Sequence, residues 1–337
     1  MNTHITLYSP ALASAAPAYS SFLRNPLDEN SRIRLLASRL KFRKITSENM
    51  PEVWSLLRRE PGRTTDFSYG GLLMWVDYFH YEYAVADDTL FIKGRVESDV
   101  SRVAFSLPVG KMPLADSVAV LKEYCRLNDL QLVFSAVPEY ALDDFRALSP
   151  TAFEELTDWA DYLYDAAPLA TLRGKKMSKK RNHVNQFLAT YPGYAYADVT
   201  PADVPELLRF MDSIDAEGDQ NEMAVTERAL NREMLGYVAG GDSEILGGVL
   251  RDADGRVLAF TLGDIKGDTL FVHIEKALRE VPGGFEMINK SFAERICTLH
   301  PEIAHINRED DAGDPGLRYA KQSYHHSALL RKYNIGF

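Results

Sequence analysis

The order of the predicted elements repeats along this chain, and the repeat limits the possible folds more than any other feature. Residues 40–138 predict a strand, a helix, several antiparallel strands, a second helix and a further strand, and the residues after 190 predict a similar order. The segments "TSENMPEVW" and "TPADVPELL" occupy corresponding positions, each with the polar cap and early proline of a helix start. We therefore predict two copies of one α+β unit, each a mixed, mostly antiparallel sheet flanked by helices.

Domain limits follow from the same patterns. We predict a disordered leader over residues 1–38, because "YSPALASAAPAYSS" has no core-forming periodicity. An N-terminal unit over residues 39–165 and a C-terminal unit over residues 166–337 follow. A chain of 337 residues is long enough for two such domains.

Composition narrows the classes of function. The net charge of −10 argues against binding to DNA or to anionic membranes. No apolar run approaches the roughly 18 residues of a transmembrane segment. The two cysteines, Cys125 and Cys297, fall in helical patterns, so neither a disulfide framework nor a zinc site is expected. A reducing, cytoplasmic location is predicted, with no bound metal.

The segment "APLATLRGKKMSKKRNHVNQFLATY" is strongly basic. Six of the nine residues from Arg173 to Arg181 are basic and none is acidic. On one continuous helix, Arg173, Lys176 and Lys180 would share the apolar face. An unpaired buried cation is too costly to persist, so these three side chains should meet carboxylates or border a cleft that receives an anion. A solvated helix face is the alternative.

A second polar cluster lies in "LFVHIEKALREVPGGFEMINKSFAERI". His273 and Glu275 share one face of a strand, where a carboxylate and an imidazole can orient a base or an ammonium group. Asn289 lies within the apolar stripe of the following helix. Gly283 and Gly284 precede that helix and could expose backbone N–H groups to a phosphate. An exposed polar pair and a simple tight turn are the alternatives.

The third cluster is "HINREDDAGDPGLRYAKQSYHH", residues 305–326, in which charged groups follow a predicted buried strand. Its candidate catalytic residues are Arg308 and Glu309, and its candidate substrate contacts are Asn307, Asp311, Arg318, Lys321 and Tyr324. Carboxylates at a cleft suit an ammonium group, and the cations at residues 173–180 suit a phosphate or carboxylate. A zwitterionic or aminoacyl substrate would satisfy both, whereas the alternative is an ion-pair network between two half-domains.

Family resemblance rests on these same segments. The repeated unit resembles the GNAT (acyl-CoA N-acyltransferase) fold. "GKKMSKKRNHVNQF", "HIEKA", "GGFEMINKSFA" and "INREDDAGDPGLRYAKQSY" resemble a bacterial family related to the C-terminal domain of phosphatidylglycerol lysyltransferases and, more distantly, to Fem-type aminoacyltransferases. The resemblance covers about residues 40–337. It implies two tandem GNAT-like domains and transfer of an amino acid from aminoacyl-tRNA to a lipid or peptidoglycan amine or hydroxyl.

These observations favour an aminoacyl- or acyltransferase whose site lies in the C-terminal unit and whose partners are an amino-acid or acyl substrate and the aminoacyl end of a tRNA. Glu309 or Glu275, beside His273, would be the base, and Arg308 would contact an oxyanion or phosphate. The remaining candidates are Arg173, Lys176, Lys180, Asn289, Asn307, Asp311, Arg318, Lys321 and Tyr324 for substrate, and Gly283 and Gly284 for phosphate.

Two other functions stay open. One is an acetyl-CoA-dependent N-acetyltransferase, and the other is a non-catalytic module that senses an amino acid or nucleotide. Acetyl-CoA is disfavoured, because "REVPGGF" displaces the glycines of the expected pyrophosphate loop and places Glu280 where a cation or amide should stand.

Overall fold

The computed structural model describes residues 28–215 and 222–337. The first half contains α1 (Glu29–Arg39), β1 (Arg43–Lys44), α2 (Met50–Leu57), α3 (Tyr69–Trp75), β2 (Glu82–Ala86), β3 (Thr89–Val96), β4 (Asp99–Phe105), β5 (Val109–Gly110), α4 (Leu114–Leu127), β6 (Val133–Pro138), α5 (Leu142–Arg146) and β7 (Ala152–Glu155). The second half contains β8 (Asp161–Asp165), α6 (Ala166–Thr171), α7 (Ser178–Thr190), β9 (Ala195–Asp198), α8 (Val204–Asp215), α9 (Glu222–Ala239), β10 (Leu246–Arg251), β11 (Val257–Lys266), β12 (Thr269–Ala277), α10 (Gly284–Leu299), β13 (His305–Asn307), α11 (Pro315–Gln322), β14 (Ala328–Leu330) and β15 (Lys332–Gly336).

Two mixed sheets organise these elements. The first has the order β1-β2-β3-β4-β6-β15-β7, with β5 beside β3, and the second has the order β14-β8-β13-β12-β11-β10-β9. Each sheet contains one parallel pair, β4 with β6 and β12 with β13, and its other described pairs are antiparallel. The predicted hairpins form at Asp87–Asp88, where both φ angles are positive, and at 266–268. The predicted α+β class with two repeated units is confirmed.

The two sheets exchange one strand each. β7 and β8 follow each other in the chain, but β7 pairs with β15 in the first sheet and β8 lies between β13 and β14 in the second. In return, β15 lies between β6 and β7. The predicted boundary after residue 165 therefore does not separate the sheets, because Asp161–Asp165 belong to the second and Lys332–Gly336 to the first.

Helix α1 occupies most of the described part of the predicted leader. Asp28 caps it by accepting a hydrogen bond from the backbone N–H of Ser31 at 3.0 Å. Its apolar spacing turns Ala37 towards α4, and Ala37 and the following Leu40 are buried. Disorder is thus the wrong expectation for residues 29–38, and residues 1–27 lie outside the described residues.

The basic segment is not one helix. Leu172 ends α6 in a left-handed conformation, with a φ of 49°, and Gly174 has a φ of 92°. Because α7 begins only at Ser178, the helical phase on which the shared face depended is lost. Arg173 and Lys176 lie exposed in the connection.

Helix α3, from the first half of the chain, packs against the second sheet. It contacts β11, β12 and α9, and its residues Leu72 and Leu73 are buried in a core shared with the second half. The segment that leads into α3, residues 60–70, therefore runs along the junction of the two halves. We refer to residues 60–70 as the strap.

Candidate active site between strand β12 and the chain after strand β13

The candidate site lies where β12 and β13 separate. The parallel ladder joins only Thr269–Phe271 to His305–Asn307. Beyond it, β12 continues to Ala277 along β11, while the chain after Asn307 turns away. The side chains that follow on both arms, His273 and Glu275 on one and Arg308 and Glu309 on the other, meet across this opening.

His273 links two carboxylates. Its Nε2 lies 2.6 Å from Asp264 Oδ2, and its Nδ1 lies 2.7 Å from Glu309 Oε1, while the ring itself is fully buried. Burial alone would lower the pKa of His273, but the hydrogen bonds and charges of Asp264 and Glu309 outweigh it and raise this pKa to about 10. At neutral pH the ring is therefore an imidazolium, which holds Glu309 in place and has no free nitrogen to accept a proton.

The strap packs against the His273 imidazolium and its partner Asp264. The Gly70 N–H donates to Asp264 Oδ2 at 2.7 Å. A side chain at Gly70 is excluded by space, since a Cβ atom would lie 2.7 Å from the His273 ring and 2.8 Å from Asp264 Oδ2. The first half of the chain thus forms one wall of a site that sequence reasoning placed wholly in the second half.

Glu309 is held in a strained position. Its φ is 57°, its N–H donates to Asn307 Oδ1 at 2.6 Å, and its carbonyl accepts from Tyr162 N at 3.0 Å. Carboxylate oxygen Oε1 accepts from His273 and, at 3.4 Å, from Thr65 Oγ1. Within the described ranges Oε2 has no hydrogen-bond partner, and the side chain is 22% exposed. One oxygen is therefore fixed and the other is available to a ligand.

Glu275 supports a second polar group beside the first. Its Oε1 lies 2.8 Å from Arg308 Nη2, and its Oε2 accepts from Asn289 Nδ2 at 2.9 Å. The Arg308 guanidinium lies 4.7 Å from the centre of the Tyr324 ring. Arg308 Nη1 and Asn289 Oδ1 are buried without a partner. A donor and an acceptor are thus unsatisfied on either side of Glu275, which is uncommon inside a protein.

Of the three cations predicted on the basic helix, Lys180 alone reaches this site. Its Nζ lies 3.2 Å from Glu286 Oε1 and 3.9 Å from the centre of the Tyr324 ring. Burial lowers the pKa of Lys180 despite the opposing charge of Glu286. Arg173 and Lys176 do not join the cluster, because the break at Leu172 turns them to solvent.

The loop after Glu309 is fixed by the remaining candidates. Arg318 lies 2.7 Å from Asp311 Oδ1 and 2.9 Å from Asp158 Oδ1, and Asp311 Oδ2 accepts from the Tyr162 hydroxyl at 2.6 Å. Lys321 donates to the backbone carbonyls of Arg308, at 2.7 Å, and of Asp310. Asp311, Arg318 and Lys321 therefore shape the loop by internal contacts.

Gly283 and Gly284 start helix α10 as predicted, and Gly283 has a φ of 73°. The backbone carbonyl of His183, on α7, lies so close that a Cβ atom on Gly283 would overlap it. The close approach of α7 accounts for this glycine without a phosphate.

Sequence reasoning missed a group of buried charges at the junction of the two halves. Lys332 lies 2.9 Å from both Asp66 Oδ2 and Asp161 Oδ1, and its side chain is 1% exposed. Asp161 Oδ2 accepts from Thr65 N at 2.6 Å and from Asn307 Nδ2 at 2.8 Å. These contacts join β15, the strap, β8 and β13 directly beside Glu309.

Two more pairs hold the strap. Lys266 lies 2.6 Å from Glu60 with both side chains buried, and Arg63 makes a two-point contact with Asp268 at 3.0 and 2.7 Å. A sequence signal existed for the second sheet, because Lys266 and Asp264 place two charges in the largely apolar strand "VLAFTLGDIK". Their partners lie roughly 200 residues away, and no local pattern marks them.

Comparison with known proteins identifies the family. The profile of the family described as phosphatidylglycerol lysyltransferase, C-terminal, matches residues 58–335. The chain belongs to this family. The resemblance inferred from the sequence segments is thereby confirmed.

Solved structures agree with this assignment. A conserved protein of unknown function from Bacteroides thetaiotaomicron has 32% identity and a TM-score of 0.79, covering 88% of this chain and 99% of that one. L-PGS from Bacillus licheniformis has 15% identity and a TM-score of 0.59 over 86% and 91% of the two chains. FemX has 11% identity and a TM-score of 0.59 over 88% and 97%. At these identities the last two establish the fold alone.

One curated relative, an uncharacterised protein of Mycoplasmoides gallisepticum, is 22% identical over 176 residues, which are 52% of this chain. The match spans 55% of that relative. Within residues 28–215 and 222–337, no helix has the length and hydropathy to cross a bilayer.

Proposed function

We propose that this chain is an aminoacyltransferase that moves an amino acid from an activated donor, such as the aminoacyl end of a tRNA, to an amine or hydroxyl. Membership in the phosphatidylglycerol lysyltransferase family and the fold shared with L-PGS and FemX support the reaction class. A charged tRNA as donor would place the reaction in the cytoplasm.

Glu309 is the observation that carries the proposal. Its strained backbone, its fixed Oε1 and its free Oε2 are the properties of a group held ready for a substrate. The imidazolium of His273 fixes the carboxylate without competing for the substrate proton. In this proposal Glu309 is the base and His273 is a positioning residue.

The reaction then follows from the groups present. The acceptor amine or hydroxyl attacks the carbonyl carbon of the donor ester, and Glu309 Oε2 takes the acceptor proton. The free Arg308 Nη1 donates to the oxyanion that develops on the carbonyl oxygen. The ester C–O bond breaks, and the leaving ribose oxygen takes up the proton from Glu309. Asn289 Oδ1, which also lacks a hydrogen-bond partner, would accept a hydrogen bond from the acceptor amine or hydroxyl.

The start of α10 supports an aminoacyl donor over acetyl-CoA. The backbone of α7 lies against Gly283, and Glu280 in the preceding turn pairs with Arg256 at 3.0 Å. A pyrophosphate at this turn would meet a carboxylate and a backbone carbonyl, both of which repel it.

The test is transfer of radiolabelled amino acids from charged bulk tRNA to two acceptors, phosphatidylglycerol vesicles and a peptidoglycan precursor with a free amine. Glu309→Gln should reduce turnover by a factor of about 10² or more, the usual contribution of a general base. Glu280→Gln is the matched control, because it makes the same chemical change in an exposed pair.

Transfer by Glu309→Gln at a rate within threefold of the control would refute the role of Glu309 as the general base. Acetyl transfer from acetyl-CoA without aminoacyl transfer would replace the proposed donor. Ligand binding with no transfer to either acceptor would favour a binding module.

A further inference from the structure

A groove separate from the Glu309 site lies between the two halves of the chain. Helix α2 and the start of α3 form one wall, and the end of α9 with the loop after it forms the other. Its volume is about 650 Å³, within the range of about 300–1,000 Å³ that small-molecule sites occupy. Neither Glu309 nor Glu275 nor Arg308 lines it.

Three charged side chains in this groove have no partner of opposite charge within the described part of the chain. Arg58 forms no ion pair, and its guanidinium lies 5.9 Å from the centre of the Trp54 ring. Asp242 accepts from the Tyr69 hydroxyl at 2.7 Å and from the Glu244 N–H at 3.0 Å, but no cation reaches it. The Glu244 carboxylate is exposed and unpaired. One positive and two negative groups therefore face the same space.

Charged side chains close to the groove, in contrast, form ion pairs. Arg59 follows Arg58 directly and lies 3.1 Å from Asp88. Along the strap, Glu60 is paired with Lys266 and Arg63 with Asp268. The strap charges Glu60 and Arg63 are therefore paired where the two halves are in contact. The charged side chains that line the groove are not.

Trp54 supplies an independent observation. Its side chain lines the groove and is 6% exposed, yet its indole Nε1 is buried without a hydrogen-bond partner. Buried polar donors are nearly always satisfied, so this unpaired donor beside the groove is uncommon. The Tyr69 and Tyr237 side chains add aromatic surface beside it.

We propose that this groove binds a free amino acid or a similar small zwitterion. Asp242 and Glu244 would receive its ammonium group, Arg58 would receive its carboxylate, and the aromatic walls would cover its side chain. The proposal concerns a second site and does not rest on the aminoacyltransferase reaction.

Isothermal titration calorimetry on the full chain tests it, with each of the twenty L-amino acids as the probe. At least one should bind with a Kd below about 1 mM. The decarboxylated amine and the deaminated acid of the best ligand should each bind at least tenfold more weakly, because each loses one of the two charges.

Arg58→Gln and Asp242→Asn should each weaken binding at least tenfold, while Arg59→Gln stays within twofold of the parent protein. Glu309→Gln should bind normally, which separates this site from catalysis. Three results would each overturn the proposal: no amino acid binds with a Kd below about 1 mM, the amine binds as well as the amino acid, or Arg58→Gln binds like Arg59→Gln.

Discussion

Replacing Lys332 with methionine tests whether the buried charges beneath Glu309 hold the two halves together. Methionine keeps the length and most of the volume of lysine but removes the charge. Asp161 and Asp66, at 0% and 10% exposure, would then face each other without a cation and with little water to replace it. Breaking a buried pair in this way costs about 3–5 kcal/mol, a third or more of the stability of many proteins.

Urea unfolding followed by tryptophan fluorescence measures this cost. The control is Lys290→Met, which breaks an (i, i+4) pair with Glu294 on the surface of α10 and should cost at most about 1 kcal/mol. In the double variant Lys332→Met, Asp161→Asn, part of the loss should be regained, because one stranded charge is gone.

The pH dependence adds a second readout. Loss of the Lys332 cation raises the pKa of Asp161 further above that of the unfolded chain, so the folded state takes up more protons as pH falls. The loss caused by Lys332→Met should therefore be smaller at pH 5 than at pH 8. A cost equal to that of Lys290→Met, with no pH dependence, would refute the reasoning.

Three further predictions concern neighbouring features. Burial raises the pKa of Asp310 from its ordinary value to about 6, so the contribution of this carboxyl to the free energy of unfolding falls as pH rises from about 4 to about 6. Asp310→Asn should accordingly unfold at the same urea concentration as the parent at pH 4 but be up to about 3 kcal/mol more stable at pH 8, and equal stability at both would contradict the burial of this carboxyl. Gly283→Ala should cost more stability than Gly174→Ala, because both glycines have positive φ but only the first would meet a neighbouring atom, the carbonyl of His183; equal melting temperatures would disprove that contact. Removing residues 1–39 should lower the melting temperature relative to removal of residues 1–27, since the longer deletion takes away α1 and its contacts with α4, and identical melting would show that α1 contributes nothing.

Local patterns account for the part of the fold that could be predicted. The hairpin at Asp87–Asp88 is encoded within a few residues, and so is the start of the helix after "TPAD", where Thr200 and Asp203 form a capping box. The nearness of Glu309 to the strand of His273 and Glu275 could also be anticipated, because the strand order of the repeated unit places them side by side.

Long-range contacts account for what the sequence did not reveal. Asp264, Gly70 and Lys332 obtain their roles from partners far along the chain, so no spacing within a helix or strand reports them. The break at Leu172 was missed for a related reason. A leucine adopts a left-handed conformation only where its surroundings impose it, and here the side chain is buried.

The strand exchange has a consequence for how the chain folds during synthesis. Until β15 has left the ribosome, β6 lacks one neighbour, and the first sheet presents an open edge of the kind that promotes aggregation. The hydrogen bond from Ser135 to Asn334, at 2.7 Å, closes a loop of 199 residues. The N-terminal half therefore cannot finish folding before the C-terminal half has been made, and the two units, although they look like independent repeats, reach the native state as one cooperative body.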